Sequence, residues 1–404
     1  MSVKWILPLF SFLFVLGSTK IATSGSSEMM TLKIAAKNSF ERTLVSNTGA
    51  SIEFVKDNYI IVRALLEEKT AIEKLGLKVE VESSLSNLQF PSKDSEYHDY
   101  TELVQKLRQM NQKFPNYTSL KSIGRTIEGR EIWALVIRTN PSTSVLPQAV
   151  FMGGHHAREH LSVDTPLRLA DWVLESYASE DARIMALLDE REIHIIPAVN
   201  PDGLEFDISD DQYKTWRKNR RRNSDGTYGV DLNRNYSYKW GTGGSSSNPR
   251  SDTFKGPTPF SEPETQAIQS YVKSLTNAKI LLSFHTFSKL ILYPWGHTND
   301  RINKDKDLQV YQKMAEKMST WNDYRPMQSS GLYIASGDTT DWAYGELGIF
   351  SFTFELDPKE QWEGGFYPGD EIIQSVVDKN KEPFLFLLDY ADDPYRVLNF
   401  GIGR

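Results

Sequence analysis

Ile280-Leu-Leu-Ser-Phe284 is a near-continuous apolar run that leads directly into His285. A second run, Ile349 to Phe354, leads in the same way into Glu355. Short apolar runs of this kind are typical of strands buried on both faces of a sheet. In open α/β sheets, ligands collect at the ends of such strands. The two stretches therefore predict a sheet that is buried on both faces, with a ligand site at the edge where these two strands end.

From Tyr97 onward, predicted strands and helices alternate along the chain. Further strands are predicted at 130–138, 149–152 and 193–199, and helices at 101–112, 167–176, 262–275, 307–318 and 370–378. This order predicts an α/β domain with a central, mixed and mostly buried sheet flanked by helices.

The chain begins with a segment that has the features of a secretory leader. Lys4 precedes the apolar run Trp5 to Gly17, and small and polar residues follow. A charged start, a short apolar core and a small-residue exit predict a signal peptide over residues 1–24. A membrane anchor is the alternative, but the run is shorter than the ~20 residues that a span needs. We therefore expect a secreted protein without a membrane anchor.

Composition excludes several other classes of protein. The 404 residues have a formal net charge of only -7 with both signs mixed, which argues against nucleic-acid or anionic-membrane partners. The chain contains no cysteine, so thiolate zinc sites and cysteine nucleophiles are excluded. Any metal must be held by His, Asp or Glu.

Residues 25–92 are predicted to form a small α+β unit that precedes the main domain. A strand at 59–62, a helix at 64–75 and a strand at 77–81 are followed by a polar linker that contains Lys93. We interpret the unit as a propeptide, removed by an activating protease, and residues 93–404 as the catalytic domain. The alternative is a fold-assisting domain that stays attached.

The stretch Phe151-Met-Gly-Gly-His-His-Ala-Arg-Glu-His160 places polar residues directly after a predicted strand. His156 and Glu159 are three residues apart, so one turn can point both at one ion, and with one further His they suit zinc. Ordinary loop residues or a satisfied core histidine are the alternatives. Glu355 is a candidate general base, because buried acids are rare unless paired, metal-linked or catalytic.

Taken together, the motifs match a known family. The matching pieces are His156-Ala-Arg-Glu159, Trp216-Arg217-Lys218, Asp231-Leu-Asn233-Arg234-Asn235, His285, Tyr333-Ile-Ala-Ser-Gly, Asp341-Trp342 and Phe352-Thr-Phe-Glu355. Over residues 97–392 the chain resembles the zinc carboxypeptidases of the pancreatic A and B type. The sequence of residues 337–341, Gly-Asp-Thr-Thr-Asp, is more similar to the bacterial carboxypeptidase T branch.

The resemblance implies a role for each matching residue. One zinc ion would be held by His156, Glu159 and His285, with water in the open fourth position. Glu355 would be the general base that takes a proton from this water. Arg217 would stabilise the oxyanion that develops beside the metal.

The remaining matches imply that the substrate is a peptide C-terminus. Asn233 and Arg234 would clamp the terminal carboxylate, which a guanidinium can bind in a two-point fashion. Tyr333 would close over the substrate, and Arg158 would line the entrance. Without the resemblance, the basic run from Lys214 to Arg222 would be interpreted as solvated charge.

Specificity is predicted from two pocket positions that the resemblance implies. Thr340 is neutral where the B-type enzymes carry an acid, whereas Asp338 supplies a carboxylate nearby. We expect broad specificity for apolar or basic C-terminal residues, unless Asp338 only faces solvent or caps a turn. Phe287 replaces a family tyrosine, and His160 is not counted as a ligand. The acidic loops leave room for a structural calcium ion, but none has decisive ligand spacing.

A hydrolase of another substrate class and a catalytically silent binding protein are the two alternative functions. Relatives of this fold deacylate amino acids or cut peptidoglycan peptides, but they lack the full clamp of Asn233, Arg234 and Tyr333. A silent binding protein of this fold would lack a ligand or the base, and all four of those residues are in place. The sequence therefore favours an active exopeptidase.

Overall fold

The structure is a computed structural model that describes residues 29–81, 96–140 and 145–399. The predicted leader and the predicted linker with Lys93 lie outside the described residues. Within the described part of the chain, the strands form one four-stranded and one eight-stranded sheet.

The four-stranded sheet belongs to a small N-terminal unit. Its elements are β1 (Met30–Ile34), α1 (Ser39–Ser46), β2 (Ser51–Val55), β3 (Ile60–Ala64), α2 (Leu66–Lys74) and β4 (Val79–Val81). The strand order is β2-β3-β1-β4, and every pairing is antiparallel. The helices cover one face, where Leu32, Val45 and Ile72 are buried together. The small α+β unit that the sequence predicts is therefore present.

Half of this unit was not located from the sequence. The strand, helix and strand predicted at 59–81 correspond to β3, α2 and β4 with shifted ends, whereas β1, α1 and β2 were not predicted. The signal was present, because Met30-Thr-Leu-Lys-Ile34 alternates apolar and polar side chains, as a half-buried strand does.

The second unit alternates strands and helices around the larger sheet. Its strands are β5 (Thr118–Arg125), β6 (Glu131–Ile137), β7 (Gln148–Met152), β8 (Glu192–Ile196), β9 (Ala278–Thr286), β10 (Leu290–Tyr293), β11 (Arg325–Gln328) and β12 (Phe350–Leu356). Its α-helices are α3 (Tyr100–Lys113), α4 (Leu161–Ala178), α5 (Ala182–Leu188), α6 (Pro201–Asp207), α7 (Pro263–Ser274), α8 (Asp305–Asn322), α9 (Thr339–Leu347) and α10 (Ile373–Asp389).

The larger sheet has the order β11-β10-β12-β9-β7-β8-β6-β5. The central strands β12, β9, β7 and β8 are parallel, whereas β10 and β6 pair antiparallel with this centre. The prediction of a mixed sheet flanked by helices is confirmed. Because the central strands are parallel, their carboxyl ends lie at one edge of the sheet.

Both faces of the central strands are covered, which explains the apolar runs in the sequence. Leu282 in β9 packs in a core with α3, α4, α8 and α10, and its neighbour Leu281 packs on the other face with α7 and α9. Complete burial of such a side chain stabilises the fold by about 1.5–3 kcal/mol.

Two helices extend further than predicted. α4 begins at Leu161, ahead of Pro166, because Leu161 and Val163 already pack in the core. α10 continues past Asp378 to Asp389, since residues 384–388 are buried on the same core. Among the helices of the described residues, none combines the length and the hydropathy of a membrane-spanning segment.

Candidate active site

Three strand ends bring the candidate residues to one edge of the sheet. His285 in β9 and Glu355 in β12 are direct partners in the parallel pairing of these strands. β7 pairs with β9 on its other side, and the loop after β7 carries His156 and Glu159. The arrangement follows from the sheet, because parallel neighbours present their carboxyl ends together.

His156, Glu159 and His285 form one buried cluster whose ligand atoms all lie within 4.8 Å of one another. The Nδ1 atoms of the two histidines are 3.2 Å apart. The Glu159 carboxylate lies between them, with Oε1 2.7 Å from Nδ1 of His156 and Oε2 2.9 Å from Nδ1 of His285. Two imidazoles and one carboxylate are the donor set of catalytic zinc sites, so the cluster fits zinc.

The outer nitrogen of each histidine has a partner of its own. Nε2 of His156 lies 3.2 Å from Oδ1 of Asp231, and Nε2 of His285 lies 3.1 Å from Oγ of Ser283. Such contacts orient metal-ligating imidazoles and fix which nitrogen faces the ion. Here they leave both Nδ1 atoms facing Glu159.

The two carboxylates of the site differ in proton affinity. Burial alone would raise the pKa of Glu159, but the imidazoles of His156 and His285 outweigh it and hold the pKa below its usual value. Burial raises the pKa of Glu355 to about 7. Glu159 is therefore suited to remain an anionic ligand, and Glu355 to exchange a proton near neutral pH.

Arg217 is a buried cation beside this cluster, held by Asp231. Its Nε donates to Oδ2 of Asp231 at 3.0 Å, and a second guanidinium nitrogen lies 2.9 Å from the same oxygen. Burial opposes the charge on Arg217, but the nearby carboxylates of Asp231 and Glu159 outweigh it and raise the pKa. Asp231 therefore fixes a positive charge and a histidine together.

Asn233 and Arg234 lie on a short 3-10 turn, Leu232–Arg234, which follows Asp231. Oδ1 of Asp231 accepts from the backbone N–H of Asn233 at 3.0 Å and caps the turn. Nε of Arg234 donates to the carbonyl of Gly244 at 3.0 Å, and another guanidinium nitrogen donates to the carbonyl of Asn233 at 2.8 Å. These bonds hold the guanidinium of Arg234 in place beside the cleft.

The cleft has a volume of about 570 Å³ and is lined by both units. The second unit contributes His156, Glu159, His285, Glu355, Arg217, Asn233, Arg234 and Tyr333, and the N-terminal unit contributes Glu53, Phe54 and Lys56. The half-buried Tyr333 packs against the core of the N-terminal unit. The cleft mouth is therefore covered by the unit that precedes it in sequence.

Arg158 is fully buried at this junction. One guanidinium nitrogen lies 2.6 Å from Oε2 of Glu53, and the guanidinium carbon lies 4.2 Å from the ring centre of Phe366. Phe287, where the family has a tyrosine, stacks on Phe54 of the N-terminal unit with ring centres 5.7 Å apart.

Comparison with known proteins agrees with this geometry. A profile of the family described as "Zinc carboxypeptidase" matches residues 103–383. The chain belongs to the zinc carboxypeptidase family. The "Zinc carboxypeptidase" of Saccharothrix mutabilis subsp. capreolus is 33% identical over 98% of this chain and 95% of its own length. "Carboxypeptidase B" of Astacus astacus is 31% identical over 74% of this chain and 98% of its own length.

Solved structures share the fold of this chain. Carboxypeptidase A from Helicoverpa armigera superposes with a TM-score of 0.75 at 25% identity, covering 90% of this chain and 97% of that one. Thrombin activatable fibrinolysis inhibitor superposes with a TM-score of 0.72 at 22% identity, covering 90% and 98%. The predicted resemblance is thereby confirmed, and the chain is a metallocarboxypeptidase, a peptide hydrolase that acts at C-termini.

The two positions predicted to set specificity, Asp338 and Thr340, lie at the start of α9. Oδ1 of Asp338 caps the helix, accepting from the backbone N–H groups of Thr340 at 3.0 Å and Asp341 at 2.8 Å. Oδ2 of Asp338 is buried without a hydrogen-bond partner. The hydroxyl oxygens of Thr340 and Thr353 are 2.6 Å apart. Asp338 therefore caps α9 with Oδ1, while its Oδ2 has no hydrogen-bond partner.

Sequence reasoning missed part of the site of this carboxypeptidase. The sequence motifs indicated no role for Asp231, Ser283 or Glu53. Asp231 is completely buried in the structure, whereas in the sequence its place at the head of the motif Asp231-Leu-Asn233-Arg234-Asn235 is the signal that could have drawn attention to it. Ser283 carries a weaker signal as a polar residue inside an apolar run.

Two remaining expectations concern His160 and a structural calcium ion. Nε2 of His160 lies 3.1 Å from Oδ2 of Asp207, outside the cluster of candidate ligands, as its exclusion from that set requires. Among the described residues, the cluster of His156, Glu159 and His285 is the one group of three or more side chains that could hold a metal. The described residues therefore offer no support for a calcium site.

Proposed function

We propose that His156, Glu159 and His285 hold one zinc ion and that Glu355 is the general base of peptide hydrolysis. The observation that carries the proposal is the buried three-residue cluster with Glu355 as the strand partner of His285. A zinc ion there would polarise the scissile carbonyl and lower the pKa of a water molecule.

The proposed role of Glu355 is to move a proton. Its carboxylate would accept the proton of the attacking water and then donate it to the leaving amine. A pKa of about 7 supports this role, since uptake and release of the proton are then nearly balanced at neutral pH.

Arg217 would stabilise the negative charge that develops on the carbonyl oxygen. The bonds to Asp231 hold its guanidinium in place before the reaction, so no reorganisation is needed as charge develops. Asn233 and Arg234 would bind the terminal carboxylate, and the hydroxyl of Tyr333 would close over it. An anion-binding clamp beside the reacting groups explains why cleavage would be limited to the last residue.

The test is release of the last residue from N-blocked dipeptides by the purified protein. The proposal requires that a zinc chelator abolish the release and that added zinc restore it. A blocked dipeptide whose terminal carboxylate is amidated is the matched substrate, and comparable hydrolysis of the two would contradict an exopeptidase clamp.

We further propose that the protein is secreted and that its N-terminal unit is an inhibitory propeptide which an activating protease removes. Several contacts support this role. Arg42 in α1 donates to the carbonyls of Leu332 at 2.6 Å and Gly331 at 2.9 Å, next to Tyr333. Glu53 lines the cleft and forms an ion pair at 2.6 Å with the buried Arg158, which is not itself one of the lining residues.

Cleavage of the N-terminal unit is expected to raise activity by on the order of 100-fold or more. A tethered unit has an effective concentration in the ~mM range, so even micromolar affinity would leave about one cleft in a thousand open. The measurement is kcat/KM of the intact chain before and after limited proteolysis. Equal activity of the two forms would favour a fold-assisting unit that stays attached.

A paired substitution separates specific coverage from general folding of the unit. Glu53→Ala leaves the buried Arg158 with Asp252, 3.9 Å away, as its acidic partner and should raise the activity of the intact chain. Glu80→Ala is the control, because Glu80 in β4 is exposed and pairs with Lys78 of the same unit. Equal effects of the two substitutions would contradict a role for the Glu53 contact.

We propose that Asp338 gives the pocket its tolerance of basic C-terminal residues. The free Oδ2 faces Gly296, where an added Cβ would lie only 3.2 Å away, so the glycine leaves room beside this oxygen. Burial and the neighbouring Asp341 raise the pKa of Asp338 to about 8. A carboxyl with a raised pKa gains its charge as pH rises, so attraction for a basic side chain should grow across pH 8.

Asp338→Asn is expected to lower kcat/KM for a substrate ending in Arg by about 10-fold or more, because a charge-assisted hydrogen bond is worth ~1.5–3 kcal/mol. Substrates ending in Phe or Leu should be unaffected, since Asn can still cap α9. In the wild type the Arg-to-Phe ratio should rise with pH through about 8, and in the variant it should stay level. An unchanged Arg-to-Phe ratio in the variant would remove Asp338 from the pocket.

A further inference from the structure

The side-chain oxygen of Asn233 is held by a residue to which no role has been assigned. Oδ1 accepts from the backbone N–H of Thr339 at 3.0 Å and from the hydroxyl of Thr339 at 3.0 Å. Thr339 is completely buried at the first position of α9, and Asn233 lines the cleft. Two hydrogen bonds from one residue thus meet at one atom of the proposed clamp.

These contacts determine which end of the Asn233 amide faces the cleft. A backbone N–H can only donate, so the atom of Asn233 that faces it must be the oxygen. The NH₂ group must then point away from Thr339. A flipped amide would place NH₂ against N–H and lose both hydrogen bonds, each worth about 5-fold in population.

The hydroxyl of Thr339 is itself oriented. Because its proton is given to Asn233, its oxygen is left to accept, and Nε2 of His155 lies 3.0 Å from it. The same Nε2 lies 2.9 Å from the hydroxyl of Tyr236. His155, Tyr236 and Thr339 are all buried. With the proton of His155 on Nε2, as this arrangement requires, the network fixes the hydroxyl before any substrate arrives.

We propose that Thr339 is a positioning residue that sets the amide orientation of Asn233, so that the clamp presents a donor to the terminal carboxylate of the substrate. The inference rests on the proposed role of Asn233 in that clamp. An amide NH₂ binds a carboxylate, whereas an amide oxygen in its place would repel it. Thr339 thereby contributes to the choice between a free C-terminus and an amidated one.

The test is the ratio of kcat/KM for an N-blocked dipeptide to that for its C-terminal amide, measured on the full chain and after limited proteolysis. Thr339→Val removes the hydroxyl at nearly constant volume. It is expected to lower this ratio by about 5-fold, the worth of one neutral hydrogen bond, chiefly by raising kcat/KM for the C-terminal amide. The flipped orientation of Asn233, which presents an acceptor to that amide, becomes about 5-fold more populated relative to the orientation that binds the free acid. Thr339→Ser keeps the hydroxyl and should restore the ratio.

Thr265→Val is the control for loss of a buried threonine hydroxyl. Thr265 in α7 donates to Oδ1 of Asn235 at 2.7 Å, outside the cleft lining. This substitution should lower the melting temperature without changing the acid-to-amide ratio. If Thr339→Val does not fold, Thr339→Ala tests the same hydroxyl without a β-branched side chain.

Asn233→Ala separates failure of this inference from failure of the proposed clamp. An unchanged acid-to-amide ratio in Asn233→Ala would refute the clamp itself. A lowered ratio there, with a normal ratio in Thr339→Val, would overturn the role of Thr339 alone. Added to Asn233→Ala, Thr339→Val should cause no further loss, because its effect acts through Asn233.

Discussion

Glu355→Gln should retain zinc and bind substrate with near-normal KM, while kcat falls by about 1,000-fold. The amide has almost the same shape as the carboxyl group but cannot accept the proton of the attacking water, and a positioned base contributes typically 10²–10⁴-fold. The zinc ligands themselves are unchanged. The measurements are steady-state kinetics on an N-blocked dipeptide and the zinc content of the purified variant.

Glu264→Gln is the matched control for this substitution. Glu264 is also a buried acid whose pKa burial raises to about 7, but it lies in α7 and accepts from the backbone N–H of Ile127 at 3.2 Å. Its substitution should affect the free energy of unfolding and leave kcat unaltered. Near-normal kcat in Glu355→Gln would mean that another group takes the proton.

His285→Ala should remove both zinc and measurable activity. Glu159 and His156 alone offer two side chains, whereas catalytic zinc sites use three protein ligands. Removal of the imidazole also takes away the contact of 2.9 Å between Nδ1 of His285 and Oε2 of Glu159, and leaves that oxygen with the backbone N–H of Thr286 at 3.3 Å. The measurement is zinc per chain by elemental analysis after dialysis, together with kcat/KM.

The control for this loss is His194→Ala. His194 is buried in β8, as His285 is in β9, and its Nδ1 lies 2.8 Å from the hydroxyl of Tyr271. It should retain stoichiometric zinc at some cost in stability. Ser283→Ala should fall between the two, since loss of a group that orients a ligand typically costs 10–100-fold in metal affinity. Stoichiometric zinc in His285→Ala would refute the ligand assignment.

Much of the sheet and the candidate ligands could be predicted because their signals are local. The apolar runs of β9 and β12 span single strands, and His285 and Glu355 follow from their position at the end of each run. The spacing of His156 and Glu159 is likewise a property of one turn. Such features need only the neighbouring sequence to be recognised.

What could not be predicted depends on contacts between distant segments. Asp231 meets His156 across 75 positions, and Thr339 meets Asn233 across 106. The pair of Glu53 and Arg158 joins the N-terminal unit to the second unit, and the motif that contains Arg158 does not indicate Glu53 as its partner. Asp338 was expected to face either the pocket or a turn, and the structure gives one of its oxygens to the turn. These arrangements follow from tertiary packing, which the hydrophobic periodicity of the sequence does not indicate.

The carboxylate of Asp231 links three groups of the candidate site to one another. Its two oxygens hold the imidazole of His156, the guanidinium of Arg217 and the backbone of Asn233. A candidate ligand, the proposed oxyanion donor and a proposed clamp residue are thereby tied into one body. When the segment at 231–235 moves slightly, these three groups must move together, so their mutual spacing survives.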